Sequence, residues 1–139
     1  MTARESDRTE AVIGEPQHSV HLASVGQRLG VAFQKGGLSG VWAIEPVCWP
    51  GRIDELQTFC DSLKGQVVLT DDDSTSLTFT VSPVGRILVD LWINFLIVFG
   101  VDGELRLEFS FEQTALPAFI RNLRQISLEM SATREEITS

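Results

Sequence analysis

The sequence predicts an α+β fold, in which an antiparallel meander sheet of about six to seven strands carries two packed helices. The longest β-like run extends from Arg86 to Phe99, and from Ile87 onward every second side chain in it is apolar. This period of two is typical of a strand with one buried face. Two other segments carry apolar residues at helical spacing. Strands and helices do not alternate along the chain, so a doubly wound parallel sheet is not indicated.

Length and composition predict one domain with polar ends. The chain has 139 residues, of which 43% are hydrophobic and 22% are charged, as in a single globular domain. Residues 18–129 carry the periodic apolar pattern and are expected to form this domain. Residues 1–17 and 130–139 are polar, so we expect a flexible N-terminal segment and a flexible C-terminal tail.

Three strands are predicted before the first helix. From His18, two alternating segments flank Gly26, which indicates a hairpin that closes there. The segment from Gly40 to Trp49 alternates again and is expected to be the third strand. Pro46 cannot donate to a sheet ladder, so this strand should end there or lie at an edge.

Two helices are predicted from stripes of apolar residues three and four apart. The first spans about residues 52–64 and should stop at Gly65, since glycine favours the position after a helix end. The second spans about residues 114–128. Thr114 suits its N-cap, and Pro117 suits its first turn.

Four strands are predicted between the helices, and the central run among them has two alternative interpretations. Val67–Leu69, Leu77–Val81 and Leu105–Phe111 are the three shorter strands, and the last of them alternates most regularly. Asp90 and Asn94 lie four residues apart in the central run, so a buried helix would also place them on one stripe. Asn94 could instead mark a bulge that divides the run into two strand halves.

Charge and cysteine content restrict the function classes. A net charge of −8 and a pI near 4.6 argue against nucleic acid, because a phosphate backbone selects Lys and Arg, and they suit a basic protein partner. The central run is shorter than the roughly 20 apolar residues of a membrane helix. The N-terminus lacks the apolar stretch of a secretory signal. Cys48 and Cys60 are therefore expected to be free thiols of a cytoplasmic protein, with a disulfide left geometrically open.

One motif suggests enzymatic chemistry. An apolar strand followed by Asp71-x-Asp73-x-Thr75 resembles the first catalytic segment of haloacid-dehalogenase-like phosphatases, in which the first aspartate is the nucleophile. Those enzymes also need a Rossmann-like parallel sheet and a downstream lysine, whereas Lys64 precedes the motif. A solvated turn is the simpler interpretation, because Asp and Ser favour turns. No catalytic residue, metal site or cofactor is predicted.

Several short motifs follow one another between Trp49 and Ile126. They are Leu63-Lys-Gly65 at a helix end, Leu-Thr-Phe-Thr-Val at 77–81, a Gly85-led strand, Leu-x-Leu-x-Phe-x-Phe at 105–111, Glu112-Gln-Thr114, and Leu116-Pro-x-Phe-Ile-x-x-Leu123. In this order they resemble the WapI-type immunity proteins, which occur beside bacterial polymorphic toxins. The family usually has Asp-Gln-Thr where this chain has Glu-Gln-Thr.

The resemblance implies a non-catalytic protein that binds and neutralises one cognate toxin domain. The expected contacts are an acidic surface formed by Asp71, Asp72 and Asp73, with Trp42 and Trp49 as aromatic hot spots. The toxin is expected to be basic. The alternatives are a structural or oligomeric scaffold without a toxin, such as a homodimer through a sheet edge, and a metal-dependent phosphatase.

Overall fold

The computed structural model describes residues 9–15, 17–26, 28–44, 49–70 and 74–138, and it describes side chains up to 130 except at 49 and 50. Two antiparallel sheets of four strands each follow chain order, which confirms the α+β class and the antiparallel meander. The first sheet contains β1 (Glu10–Glu15), β2 (His18–Val25), β3 (Arg28–Lys35) and β4 (Leu38–Ile44). The second contains β5 (Val67–Thr70), β6 (Thr75–Val81), β7 (Ile87–Asn94) and β8 (Glu104–Phe111). The helices are α1 (Trp49–Ser62), α2 (Phe95–Phe99) and α3 (Leu116–Thr138), with a 3-10 turn at Gln113–Ala115.

The core lies between the two sheets and the two long helices. The buried apolar side chains of the described residues form one cluster, to which both sheets, α1 and α3 contribute. α3 packs on β1, β2 and α1, and α1 packs on β5. The predicted helix stripes are buried, as the side chains of Ile53, Leu56, Phe59, Leu116, Phe119, Ile120, Leu123 and Ile126 show. Among the described residues, no helix is long and apolar enough to cross a membrane.

β1 lies within residues 1–17, which were predicted to form a flexible segment, and it shows that this prediction is wrong for residues 10–15. Glu10–Glu15 pairs with β2 along its whole length. Its two core residues, Ala11 and Ile13, are fully buried. Most of the other residues in this segment are polar, so its sequence does not show a strand pattern. A Cβ at Gly14 would lie 2.1 Å from the carbonyl oxygen of His18, so glycine allows the close approach of β1 to β2 there. The remaining residues of the predicted segment, apart from Thr9 and Gln17, lie outside the described ones.

The central run is a strand only as far as Asn94. Ile87–Asn94 pairs with β6 and β8, with its odd-numbered side chains buried, as predicted. Phe95–Phe99 is a short helix and not a continuation of the strand, so the longer strand was wrong at this end. Neither a buried helix over the whole run nor a bulge at Asn94 is found.

Three other boundaries differ from the prediction. β4 begins at Leu38 and ends at Ile44, and Trp49 belongs to α1 and not to this strand. α1 ends at Ser62, because Leu63 has a left-handed φ of 55°. The backbone of α3 remains helical to Thr138, ten residues beyond the predicted helix end at about residue 128. Its last residues are polar but include no Gly or Pro to stop a helix.

Candidate partner-binding surface

A five-residue helix, α2, interrupts the hairpin between β7 and β8. The Oδ1 atom of Asn94 accepts a hydrogen bond from the Leu96 N–H at 3.0 Å, which caps the first turn. Gly100 adopts a left-handed conformation (φ 74°) and donates its N–H to the Leu96 carbonyl at 3.1 Å. This is the usual way in which glycine ends a helix. A hydrogen bond at each end thus stabilises a helix that is too short to be stable alone.

The side chains of α2 and the next residues form an exposed apolar surface. Leu96, Ile97, Phe99 and Val101 are 53%, 54%, 50% and 61% exposed, and we call these four residues the apolar cap. Single exposed apolar residues are normal on protein surfaces. Four large ones within six positions are unusual, and concentrated apolar surface commonly marks an interaction site.

An aromatic contact joins the apolar cap to the first sheet. The Phe99 ring lies 6.4 Å from the ring of Trp42 on β4 and 5.6 Å from that of Phe95, each in an edge-to-face arrangement. The indole Nε1 of Trp42 donates a buried hydrogen bond of 2.9 Å to Oγ1 of Thr75 on β6. Trp42 therefore joins the first sheet to the second beneath the cap.

Acidic residues border the apolar cap. Asp102 and Glu104 follow it directly and are exposed, and the Glu104 carboxylate accepts a hydrogen bond of 2.8 Å from the Trp92 indole. The Asn94 N–H, at the other end of the cap, donates to the carbonyl of Ser74 at 2.8 Å. In the sequence, Ser74 comes immediately after the aspartates 71–73. The sequence from 94 to 104 contains no Lys or Arg.

The predicted contact residues are only partly within the described region. Trp42 is 8% exposed, so it supports the apolar cap from below and is not itself an exposed hot spot. The side chain of Trp49 and the three aspartates, Asp71, Asp72 and Asp73, lie outside the described residues. The sequence does not reveal the apolar cap, because Leu96, Ile97 and Phe99 continue the apolar run and are predicted to belong to the central strand.

The second sheet presents a different, polar surface on its outer face. An open depression of about 480 Å³ lies there, and its lining combines hydroxyl and carboxylate side chains with apolar ones. Thr78, Asp90 and Glu108 stand opposite one another on β6, β7 and β8 and form its central row. Asp90 is the unusual member, because its Oδ1 atom is buried without a hydrogen-bond partner.

Burial raises the pKa of Asp90 above its ordinary value of 3.8. Loss of hydration disfavours the charged form, the Glu108 carboxylate adds repulsion, and Arg106 opposes both. The Arg106 Nε atom lies 3.8 Å from Oδ1, which is too long for a hydrogen bond. The ionised side chain is therefore poorly compensated at neutral pH.

We expect Asp90→Asn to increase the free energy of unfolding at neutral pH. A raised native pKa means that Asp90 contributes most stability when protonated and loses it as the pH rises through that pKa. The gain of the variant should therefore be largest at pH 7 and shrink as the pH falls toward the carboxylate range. Urea denaturation of both proteins at several pH values measures this. A less stable variant at pH 7 would mean that the attraction of Arg106 outweighs desolvation.

Side chains that could bind a metal ion or react as a thiolate are few in the described part of the chain. No three His, Cys, Asp or Glu side chains there are placed to hold a metal ion. Burial, and then the Asp61 carboxylate, raise the pKa of the Cys60 thiol, which disfavours the reactive thiolate. Cys48 lies outside the described residues. β5, which leads into the Asp-x-Asp motif, pairs antiparallel with β6, whereas the phosphatase motif requires a parallel sheet.

Comparison of the chain with protein families, curated proteins and solved structures finds no match.

Proposed function

We propose that this chain is a non-catalytic immunity protein, which binds and neutralises a cognate basic toxin domain in the bacterial cytoplasm. The proposal follows the resemblance of residues 49–126 to WapI-type immunity proteins. The observation that carries it in the structure is the apolar cap with its acidic border. The cap is the proposed centre of the interface.

The cap has the layout expected of a protein-binding surface. Interfaces combine a water-excluding apolar centre with a polar rim, and a few central residues supply most of the affinity. Leu96, Ile97 and Phe99 would form the centre. Asp102 and Glu104, together with the aspartates 71–73, would form the rim.

The charge of the chain supports a basic partner. A net charge of −8 attracts a basic domain over distances comparable to the Debye length of about 8 Å at physiological salt. Charge complementarity of this kind mainly raises the association rate and selects the partner. The apolar centre would then determine how slowly the complex dissociates.

The test is binding of purified variants to the toxin domain encoded by the adjacent gene. Ile97→Asp should weaken binding about 30-fold, which corresponds to a hot-spot loss of roughly 2 kcal/mol. Leu128→Asp is the matched control, because Leu128 is an aliphatic side chain of α3 with 65% exposure. It should bind like the wild type. Equal affinity of both variants would remove the cap from the interface.

A second variant distinguishes the contribution of the acidic rim to binding from that of the apolar centre. Replacing Asp71, Asp72 and Asp73 together by Asn should lower the association rate and its dependence on salt, while the dissociation rate changes little. Ile97→Asp should show the reverse pattern, with faster dissociation. Unchanged kinetics after the triple replacement would exclude the three aspartates from the interface. No binding by the wild-type chain would refute the proposed function.

A further inference from the structure

One terminal strand, β4, lacks the features that usually protect a sheet edge. Edge strands are commonly blunted by charged residues, proline, bulges or short length. Leu38–Ile44 contains neither a charged residue nor a proline. Of the other terminal strands, β1 and β8 carry charged residues and contact each other, and β5 has only four residues.

The register shows which backbone groups β4 leaves unpaired. Lys35 and Leu38 close a two-residue hairpin, so they form a hydrogen-bonded pair, and such pairs alternate with non-bonded ones along the ladder. Ser39, Val41 and Ala43 fall at the non-bonded positions. Their N–H and C=O groups therefore point away from β3. In agreement, the Ala43 carbonyl accepts a side-chain hydrogen bond of 3.0 Å from Arg28.

Val41 is the most exposed large apolar residue of β4. Its side chain is 74% exposed, because its cross-strand neighbour on β3 is Ala32, which is too small to cover it. The other side chains on the same outer face of β4 belong to Ser39 and Ala43. Apart from the Arg28 guanidinium, which bonds the Ala43 carbonyl, no side chain on this outer face of β4 is charged or larger than valine.

Charge decides which strand fits. The two charged residues of β3, Arg28 and Lys35, are both basic, so the edge does not suit the basic toxin domain proposed above. A second copy brings the uncharged strand Leu-Ser-Gly-Val-Trp-Ala-Ile against itself. Homodimers are most often twofold symmetric, and antiparallel strand pairing satisfies that symmetry.

We propose that β4 pairs antiparallel with β4 of a second copy about a twofold axis at Val41, which joins two four-stranded sheets into one. In this register Val41 lies opposite the second copy's Val41, and Ser39 lies opposite its Ala43. All three residues offer free backbone groups at the edge, and the Ala43 carbonyl has a second lone pair beside its bond to Arg28. The two valines gain a cross-strand apolar contact.

Light scattering coupled to size exclusion, with the full chain over a concentration series, tests the proposal. The wild type should reach twice the 15.4 kDa chain mass at high concentration. Val41→Pro removes an N–H that does not serve β3, and Val41→Lys places two like charges together, so both variants should be monomers. Val84→Lys, at an 81% exposed turn position, is the control and should remain a dimer.

Hydrogen exchange of the wild type gives an independent measurement that needs no variant. The Ser39 and Val41 amides should exchange more slowly as concentration rises. A wild type that is monomeric at every concentration, or dimeric Val41 variants, would overturn the proposal. The proposed dimer does not involve the apolar cap. Ile97→Asp, which should weaken toxin binding, is therefore expected to remain a dimer.

Discussion

Phe119→Ala is expected to lower the free energy of unfolding by about 3–5 kcal/mol, the usual cost of removing a buried aromatic side chain. Phe119 is 1% exposed on α3, and its ring lies 5.9 Å from that of Phe79 on β6. It therefore links the last helix to the second sheet. Because small domains are stable by roughly 5–15 kcal/mol in total, the loss should be evident in the urea midpoint, with an unchanged slope.

Leu128→Ala is the control for this variant. Leu128 lies on the same helix but is 65% exposed, so its replacement should change stability by no more than about 0.5 kcal/mol. A similar small change in Phe119→Ala would contradict the packing of α3 on the sheets. A changed slope would instead indicate that the transition is no longer two-state.

Ile13→Ala is expected to cost about 2–5 kcal/mol, whereas Val12→Ala should cost much less. The two residues are neighbours on β1 and point to opposite faces. Ile13 is 1% exposed in the core, and Val12 is 40% exposed. Thermal and urea denaturation of the pair measure whether β1 is an integral strand. Equally small losses would instead support a loosely attached N-terminal segment.

The parts of the fold that the sequence predicts well are those with repeated local patterns. In α1, Ile53, Leu56 and Phe59 recur at helical spacing and are all buried. In β7, the alternation from Ile87 to Ile93 gives the correct buried face. Each pattern contains enough members to identify its period, and Gly26 correctly places the hairpin between β2 and β3.

Segments with few core residues could not be predicted in the same way. β1 has two core side chains, Ala11 and Ile13, which are too few to stand out from their polar neighbours. α2 begins because Asn94 caps it, yet Phe95 to Phe99 continue the apolar run and resemble a strand. The packing of the two sheets against each other depends on distant contacts such as the Trp42–Thr75 hydrogen bond, which no local pattern encodes.

The candidate surface also combines features that the sequence reveals with features that depend on tertiary structure. The three consecutive aspartates at residues 71–73 can be recognised from the sequence, because they are a local feature. The exposure of Ile97 and Phe99 cannot, because apolar residues are assigned to a core unless the tertiary structure shows otherwise. The residue type of Trp42 predicts an exposed hot spot, whereas its burial shows that it packs beneath the cap.

The hydrogen bonds at the two ends of α2 reduce the conformational entropy that is lost when a partner binds. The Asn94 and Gly100 bonds fix the backbone of the segment before any partner arrives. Little backbone freedom remains to be lost on association, apart from rotamer restriction of about 0.5–1.5 kcal/mol for each immobilised flexible side chain. A preorganised surface of this kind lets a modest contact area yield tighter association than a segment that must fold as it binds.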